Sequence, residues 1–88
     1  MKIVAAAIRV EGQILTAPAP ARHADLIFGP VGRVLFTPET PVLPSQQGFL
    51  TDTGRFANRR SAKRIALKAG QLLPMHSPGP ELYSEDVW

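Results

Sequence analysis

Cysteine is absent from this 88-residue chain, which carries two histidines, His23 and His76. Without cysteine there is no disulfide and no thiolate metal site, and two histidines are too few for a zinc site without help from carboxylates. A chain this short has a marginal core and usually needs disulfides, metals or oligomerisation. We therefore expect a single domain, residues 1–88, that assembles into a homo-oligomer.

Long hydrophobic runs are also missing. The apolar stretch from Ile3 to Ile8 ends at Arg9, so it is too short to span a membrane, and no signal-peptide cleavage site follows it. The lack of cysteine fits a reducing compartment. These features predict a cytosolic protein with no membrane partner.

The motifs of the common enzyme classes do not occur in the chain. It has no nucleophile elbow, no P-loop and no HExxH sequence. Glu85 and Asp86 are adjacent, so they do not obviously flank a scissile bond. His23 could serve as a base, but any histidine could. We expect a binding protein that is not an enzyme and needs no cofactor and no metal.

Acidic residues are missing from a long internal stretch, because none lies between Asp52 and Glu81. The net charge is +3 and the pI is near 10. Such a balance favours a polyanionic or phosphate-bearing partner, with a solvated basic face as the alternative. The segment Gln47 to Gln71 holds six of the ten basic residues, namely Arg55, Arg59, Arg60, Lys63, Arg64 and Lys68.

Hydrophobic patterns and turn residues predict an α+β fold, a small antiparallel sheet with one or two short helices in an oligomeric protein. Two hairpins are expected, one turning at Glu11 and Gly12 and the other at Asp52 to Gly54. The predicted strands are Lys2 to Arg9, Gln13 to Thr16, Arg33 to Thr37, Gly48 to Thr51, Arg55 to Phe56 and Gln71 to Leu73.

Two helices are predicted. The first runs from Arg22 to Phe28 and stops at Gly29 and Pro30. The second runs from about Arg59 to Ala69, with Asn58 as its N-cap. The chain ends at Leu82 to Trp88 with two aromatic residues, so we expect this segment to be docked on the fold.

The start of the second predicted helix is the first candidate binding site. The free N–H groups of a helix N-terminus carry partial positive charge and bind anions. Arg59 and Arg60 lie in the first turn, where they oppose the helix dipole but can grip phosphate oxygens bidentately. The alternative is that Asn58 caps the helix and both arginines are solvated.

An aromatic ring and a second basic cluster could complete a nucleotide site. Phe49 and Phe56 flank the second hairpin turn, and either ring could stack on a base whose phosphates meet the arginines. The alternative is that both belong to the core, which is the stronger expectation for Phe56. Arg22 and His23 lie close to Asp25, which could orient the imidazole. The alternative for this cluster is a helix start with charges at the surface.

The segment from Ser84 to Asp86 is a third candidate. Its carboxylates, Glu85 and Asp86, could accept hydrogen bonds from a base edge or a ribose hydroxyl. Equally, they could pair with Arg22 or Arg59 of a neighbouring subunit.

The order of these motifs resembles a family of small phage proteins. The pattern consists of RHxD at Arg22 to Asp25, then QGF, LTDTGRF and ANR within Gln47 to Leu72, and LYSEDVW at the end. The resemblance also covers Ile3 to Thr16. The family includes the first-described type of Thoeris anti-defence sponge proteins.

The resemblance implies a phage anti-defence protein that binds a cyclic nucleotide immune signal without cleaving it. The implied signal is a cyclic ADP-ribose isomer or a cyclic oligonucleotide, held by a dimer or hexamer in the cytoplasm of the infected bacterial host. Phe49 is then expected to stack on a base, and Asn58 and Arg59 to hold phosphate or ribose. The implied ligand-binding residues are Arg22, His23, Phe49, Asn58, Arg59, Ser84, Glu85 and Asp86.

The chain departs from the resembled pattern at two residues and in one loop. Relatives usually carry glutamate at the position of Ser61 and a polar residue at that of Ala24, and the loop Pro38 to Pro44 replaces a helix continuation. Two other functions stay open. One is a nucleic-acid-binding accessory protein, which is less expected because the basic face is short, and the other is a phosphodiesterase acting on the same signals.

Overall fold

A computed structural model describes all 88 residues and shows a four-stranded antiparallel sheet in the order β2-β1-β3-β4. The predicted α+β class is confirmed, with three α-helices instead of one or two. The chain also contains two short 3-10 helices, Pro44–Gln46 and Ser84–Asp86. The elements are β1 (Ile3–Val10), β2 (Gln13–Pro18), α1 (His23–Phe28), α2 (Pro30–Leu35), β3 (Gln47–Thr51), β4 (Phe56–Asn58) and α3 (Arg59–Lys68).

Both predicted hairpins form. β1 pairs with β2 up to Val10 and Gln13, and the two turn residues between them, Glu11 and Gly12, have φ angles of 50° and 80°. Two successive positive φ angles make the tight turn that matches the natural twist of the strands. β1 also pairs with β3, and β3 pairs with β4, so β2 and β4 are the edge strands.

The core lies between one face of the sheet and the helices. Ala6 and Ile8 of β1 and Phe49 of β3 point to this face, since side chains alternate along a strand. Ala62 and Ala66 of α3 are fully buried against them, and their small size lets the helix lie close to the sheet. The predicted end of this helix is confirmed to within one residue.

α2 corrects one prediction, because Arg33 to Thr37 was expected to be a strand. Pro30 stands at the first position of α2, where its missing N–H costs nothing and its fixed φ suits a helix. The Gly29–Pro30 step therefore ends α1 and also begins α2. Gly32 packs so closely on α1 that an added Cβ would lie 2.0 Å from the carbonyl oxygen of Leu26.

The predicted edge strand Gln71 to Leu73 is wrong as well. The segment is irregular, and the Gln71 side chain takes the place of a strand backbone. Its Oε1 accepts from the Ile3 N–H at 2.8 Å, and its Nε2 donates to the Ile3 carbonyl at 2.7 Å. No helix of the structure is both long and apolar enough to cross a membrane.

Candidate functional site

The C-terminal strap, Leu82–Trp88, gathers most of the residues that the sequence nominated. It lies against α1 and α3, and Leu82, Ser84 and Asp86 are buried. The docking expected for this segment is confirmed. Of the eight nominated residues, the strap and its contacts include Arg22, His23, Phe49, Arg59, Ser84, Glu85 and Asp86.

His23 is the buried centre of these contacts, at the first position of α1. Its Nε2 lies 2.7 Å from the Gly48 carbonyl oxygen, and its Nδ1 lies 2.7 Å from the Ser84 hydroxyl oxygen. Because a carbonyl can only accept, Nε2 carries the proton and Nδ1 accepts from the Ser84 hydroxyl. Both ring nitrogens are thus used within the chain, so His23 has no free nitrogen for a ligand.

Burial lowers the pKa of His23 below its ordinary 6.5, with the positive charge of Arg59 acting in the same direction. The Gly48 hydrogen bond and the charge of Glu85 oppose this shift without cancelling it. The imidazole is therefore kept neutral. A neutral, fully hydrogen-bonded histidine serves as a fastener between α1, β3 and the strap.

Phe49 is fully buried, and this contradicts the expectation that its ring stacks on a base. The His23 ring meets it edge-on at a centroid distance of 4.9 Å, and the Trp88 ring does so at 6.3 Å. Edge-to-face pairs of this kind are a favourable packing of aromatic rings. Phe49 is therefore the aromatic centre of the core, which was the alternative weighed for it.

Arg59 is half-buried and holds the strap to α3. Its Nη1 donates to the Leu82 carbonyl at 3.0 Å, and its Nη2 donates to the Gln47 side-chain oxygen at 2.6 Å. The guanidinium also lies 4.7 Å from the centroid of the Tyr83 ring. Burial lowers the pKa of Arg59 from its usual high value. Two of the N–H groups of this guanidinium therefore donate hydrogen bonds within the fold and not to a ligand.

Asp86 is buried in the strap, and both of its carboxylate oxygens accept hydrogen bonds from within the chain. One carboxylate oxygen accepts from the Ser77 N–H at 2.7 Å and from its hydroxyl at 2.8 Å, and the other accepts from the Tyr83 N–H at 2.8 Å. Burial alone would raise the pKa of this carboxyl, but the hydrogen bonds from Ser77 and Tyr83 and the charge of Lys63 bring it below its usual value. Asp86 fixes the turn that precedes the chain end.

Arg22 and Glu85 lie at the exposed margin of the strap. Arg22 donates from Nη2 to the main-chain oxygen of Trp88 at 2.7 Å, and its N–H donates to Asp25 at 2.8 Å. The second bond makes Asp25 a cap of α1 and not an orienting partner for His23. Glu85 is exposed. No group of three or more histidine, aspartate or glutamate side chains is placed to hold a metal ion.

Asn58 makes no side-chain hydrogen bond to the strap, although it ends β4 immediately before Arg59. Its side-chain oxygen accepts from the Ser61 N–H at 2.8 Å, so its predicted role as N-cap of α3 is confirmed. Asn58 also lines a concave site of about 330 Å³ along the edge strand β4. This site is called the basic cleft here, and its lining consists of Met1, Arg9, Thr51, Arg55, Phe56, Ala57, Asn58, Ser61 and Ile65.

The basic cleft combines cations with an aromatic ring. The guanidinium of Arg9 lies 4.6 Å from the centroid of the Phe56 ring, and Arg55 lines the same cleft. A second hollow of about 630 Å³ adjoins it, sharing Met1 and Ile65 and adding Lys2, Lys68 and Asp52. Together, the two hollows are lined by four basic side chains and by one carboxylate. The chemistry of this lining suits an anion with a planar apolar part.

The sequence did not nominate Arg9 as a site residue, and it offered Phe56 as a stacking ring only as the weaker alternative to the core. Arg9 follows Ile8, which is in the core, so alternation along β1 puts Arg9 on the opposite face. Phe56 was expected in the core, but its ring lies across Gly48 on that same face, where an added Cβ would be 2.5 Å from it. Alternation alone could have indicated Arg9, whereas the ring position depends on the pairing of β3 with β4.

The family model that matches this sequence is described as Phage T4 y16D protein, and the match spans residues 2–88. No curated protein and no solved structure matches the chain. The match covers all helices and strands of the fold, the strap, and every residue that lines the basic cleft except Met1.

Proposed function

Because the chain belongs to the Phage T4 y16D protein family, we propose that it acts during phage infection by binding a nucleotide-derived signal of the host in the basic cleft. The signal class is a cyclic ADP-ribose isomer or a cyclic oligonucleotide, taken from the resemblance to anti-defence sponge proteins. The protein acts in the cytoplasm of the infected cell and lowers the free concentration of the signal.

The composition of the basic cleft is the observation that carries this proposal. Its volume of about 330 Å³ falls at the lower end of the range of small-molecule pockets. Guanidinium groups such as Arg55 bind phosphate oxygens bidentately, and an aromatic face such as that of Phe56 accepts a base. Arg9 now covers that ring, so an incoming base takes its place and frees its guanidinium for a phosphate.

If the ligand binds in the cleft, its contacts differ from the ligand-binding residues that the sequence nominated. Asn58 keeps its place, because it lines the cleft. Arg59 lies next to Asn58 in sequence but directs its guanidinium to Leu82 and Gln47. We assign the ligand contacts to Arg9, Arg55, Phe56, Asn58 and Ser61, and we assign His23, Phe49, Ser84 and Asp86 to the fold.

Calorimetric titration with cyclic ADP-ribose isomers and with cyclic di- and trinucleotides tests the proposal. At least one ligand is expected to bind, and Arg55→Ala should weaken it about tenfold or more, since a hydrogen bond to a charged group contributes about 1.5–3 kcal/mol. Arg33→Ala, an exposed arginine on α2, is the matched control and should bind normally. Absence of binding by all of these ligands at high micromolar concentration contradicts the proposal.

Ser61→Glu separates ligand binding from folding. Ser61 is the third residue of α3, where glutamate supports the N-terminus of a helix, so the melting temperature should not fall. The new carboxylate lies in the basic cleft and should weaken an anionic ligand severalfold. The control is Ser45→Glu, because Ser45 is exposed in the short helix Pro44–Gln46 and does not line the cleft. Because relatives of the resembled family usually carry glutamate at this position, the result is read together with Arg55→Ala. Unchanged affinity of both variants excludes the cleft as the anion site, whereas a loss in Arg55→Ala alone puts the anion beside Arg55 and away from Ser61.

We propose that the signal is held and not cleaved. The one residue nominated as a base, His23, is buried with both ring nitrogens hydrogen-bonded. After incubation with the bound ligand for hours, heat denaturation should release it intact, as measured by chromatography. Recovery of a cleaved product supports the phosphodiesterase alternative instead.

Nucleic-acid binding is the second candidate, and the exposed cations of α3 favour it. Arg60, Arg64 and Lys68 are exposed on this helix. Phosphate neutralisation by such residues gives binding that weakens steeply with salt. A gel-shift series on duplex and single-stranded DNA that detects salt-sensitive binding, together with no response to cyclic nucleotides, would favour this function.

A further inference from the structure

The basic side chains of this protein divide into those that hydrogen-bond within the fold and those that do not. Four of the ten donate to other groups of the chain, namely Arg22, Arg59, Lys63 and Arg64. The other six make no such bond, and four of these line the two hollows beside β4, namely Lys2, Arg9, Arg55 and Lys68. The cations that the fold leaves without a hydrogen-bond acceptor are therefore concentrated at these hollows.

The larger hollow lies at the end of the sheet where β1 begins and where β3 and α3 end. Lys2 immediately precedes β1, Asp52 immediately follows β3, and Lys68 is the last residue of α3. We call it the lysine hollow, and its lining consists of Met1, Lys2, Asp52, Ile65, Lys68 and Ala69. Its volume of about 630 Å³ is almost twice that of the basic cleft, so it has room for more than one phosphate group.

The cations of the two hollows form two separate pairs. The basic cleft contributes its two arginines, and the lysine hollow contributes Lys2 and Lys68. The two residues that both hollows share, Met1 and Ile65, are apolar and lie where the hollows join. A ligand that fits both hollows therefore carries two anionic groups with a neutral part between them.

The charge of the lysine hollow suits a phosphodiester. Two lysines and Asp52 give it a net charge of +1. The Lys2 N–H donates to Oδ1 of Asp52 at 3.1 Å and the Asp52 N–H donates to the Lys2 carbonyl at 3.0 Å, so these two charged residues are held together. A phosphodiester carries one negative charge, whereas a terminal phosphate carries about −1.5 to −2 and would be repelled more strongly by Asp52.

We infer that the lysine hollow is a second anion subsite, which binds a phosphodiester through Lys2 and Lys68 while a base and another phosphate occupy the basic cleft. Lysine ammonium groups bind phosphate as point charges, without the planar geometry that arginine requires. The inference rests on the function proposed for the cleft and narrows its ligand. The ligand class is two or more nucleotides joined by phosphodiesters, and not a nucleotide whose two phosphates are adjacent.

Calorimetric titration with cyclic diadenylate and with cyclic ADP-ribose tests this inference. Both ligands contain adenine and carry two negative charges, but their phosphates lie on opposite sides of the ring in the first and next to each other in the second. The unmodified chain should bind cyclic diadenylate about tenfold more tightly, because one exposed ion pair contributes up to about fivefold and two lysines act together.

A double variant, Lys2→Ala with Lys68→Ala, should remove this preference. Its affinity for cyclic diadenylate should fall about tenfold, while its affinity for cyclic ADP-ribose stays within about twofold because charges beyond ~8 Å are screened by salt. The matched control is Arg33→Ala with Arg60→Ala, which removes the same charge from exposed residues outside both hollows and should leave both affinities unchanged. Circular dichroism should show all variants folded, since all four side chains are exposed.

The two ligands separate this inference from the function on which it rests. Equal affinity of the unmodified chain for both ligands, or binding of cyclic ADP-ribose alone, overturns the second subsite and leaves the proposed function of the cleft in place. An equal loss of both ligands in the lysine variant, or a loss of cyclic diadenylate in the arginine control as large as in the lysine variant, also overturns it. Binding of no cyclic nucleotide overturns both.

Discussion

At the scale of single residues, His23 links the fold to pH. Its folded-state pKa lies below 6.5 because the ring is buried, so the unfolded chain binds a proton more readily than the folded chain. Stability from this group is complete above pH 6.5 and is lost as the pH falls below 6.5 towards the folded pKa. The lowered pKa of Asp86 acts in the same sense at lower pH.

We therefore predict that unfolding stability falls on acidification from pH 7 to pH 5, and that His23→Gln flattens this dependence. Glutamine can still donate to the Gly48 carbonyl but does not titrate. Denaturant unfolding at several pH values measures the slope, which for one titrating group is at most about 1.4 kcal/mol per pH unit. His76→Gln, at an exposed histidine, should keep the slope of the unmodified chain. An equal slope in His23→Gln contradicts this account.

Gly48 makes close contacts on both faces of the sheet. Its carbonyl accepts from His23 on the core side, and the Phe56 ring covers its Cα on the cleft side. A Cβ at this position would lie 2.3 Å from the Ala57 carbonyl oxygen and 2.5 Å from the Phe56 ring. Neither a strand backbone nor a covered ring can move away without loss of pairing.

Gly48→Ala is thus expected to destabilise the chain by about 2 kcal/mol, as overpacking of a tight site typically does. That loss lowers the melting temperature of a domain of this size by roughly 10 °C. The matched control is Gly79→Ala, because an added Cβ at Gly79 meets nothing within 4 Å. Equal melting temperatures for the two variants would show that the β3–β4 hairpin is looser than described.

At the scale of elements, the strap completes the fold by joining α1 to α3. Trp88 donates from its indole N–H to the Ala21 carbonyl at 3.0 Å, and Arg22 returns a hydrogen bond to the Trp88 main chain. At the other end, the Leu82 N–H donates to the Arg59 carbonyl at 3.0 Å. Hydrogen bonds at both ends hold a segment that has little regular structure of its own.

Arg59→Ala should detach the strap from α3 and leave the affinity of the cleft for its ligand unchanged, because the Arg59 guanidinium bonds to Leu82 and Gln47 and does not line the cleft. Losing hydrogen bonds from a half-buried guanidinium should cost about 2 kcal/mol, and limited proteolysis should cut the segment after Leu73 faster. Arg60→Ala changes the neighbouring, exposed arginine and should match the unmodified chain in both assays. If Arg59→Ala keeps full stability and loses ligand affinity, the sequence-based role of Arg59 in binding is restored.

The sequence identified those elements whose signals are local. Both hairpins carry their own turn residues, and α3 has its cap at Asn58, so each was predicted close to its observed bounds. α2 was missed because the Gly29–Pro30 step signals both an end and a beginning. The Gln71 segment was missed because only the folded chain brings its side chain to Ile3.

The site was harder to predict than the fold for a related reason. His23, Ser84, Arg59 and Asp86 have the residue types of a binding site, and the fold does bring them near one another. Burial then decides their role, and burial is not readable from residue type. The basic cleft joins Arg9 of β1 to Phe56 of β4, and their proximity follows from the strand order β2-β1-β3-β4.

At the scale of the whole molecule, the chain has three distinct surfaces. The strap side is closed by internal hydrogen bonds, with no buried polar side-chain atom left without a partner. The outer side of α1 and α2 exposes the apolar residues Phe28, Val31 and Val34, and the cleft side is basic. The cleft side is therefore the surface that offers cations to an anionic ligand.

Mapping of amide chemical shifts during a titration with the tightest-binding cyclic nucleotide tests the central claim most directly. If the ligand enters the basic cleft, the amides that shift will cluster at Arg9, at Arg55 to Asn58 and at Ser61. The amides of His23 and of Ser84 to Asp86 will then change little. Shifts concentrated at Arg22, His23 and Ser84 to Asp86, with none along β4, would contradict the cleft and return the site to the strap.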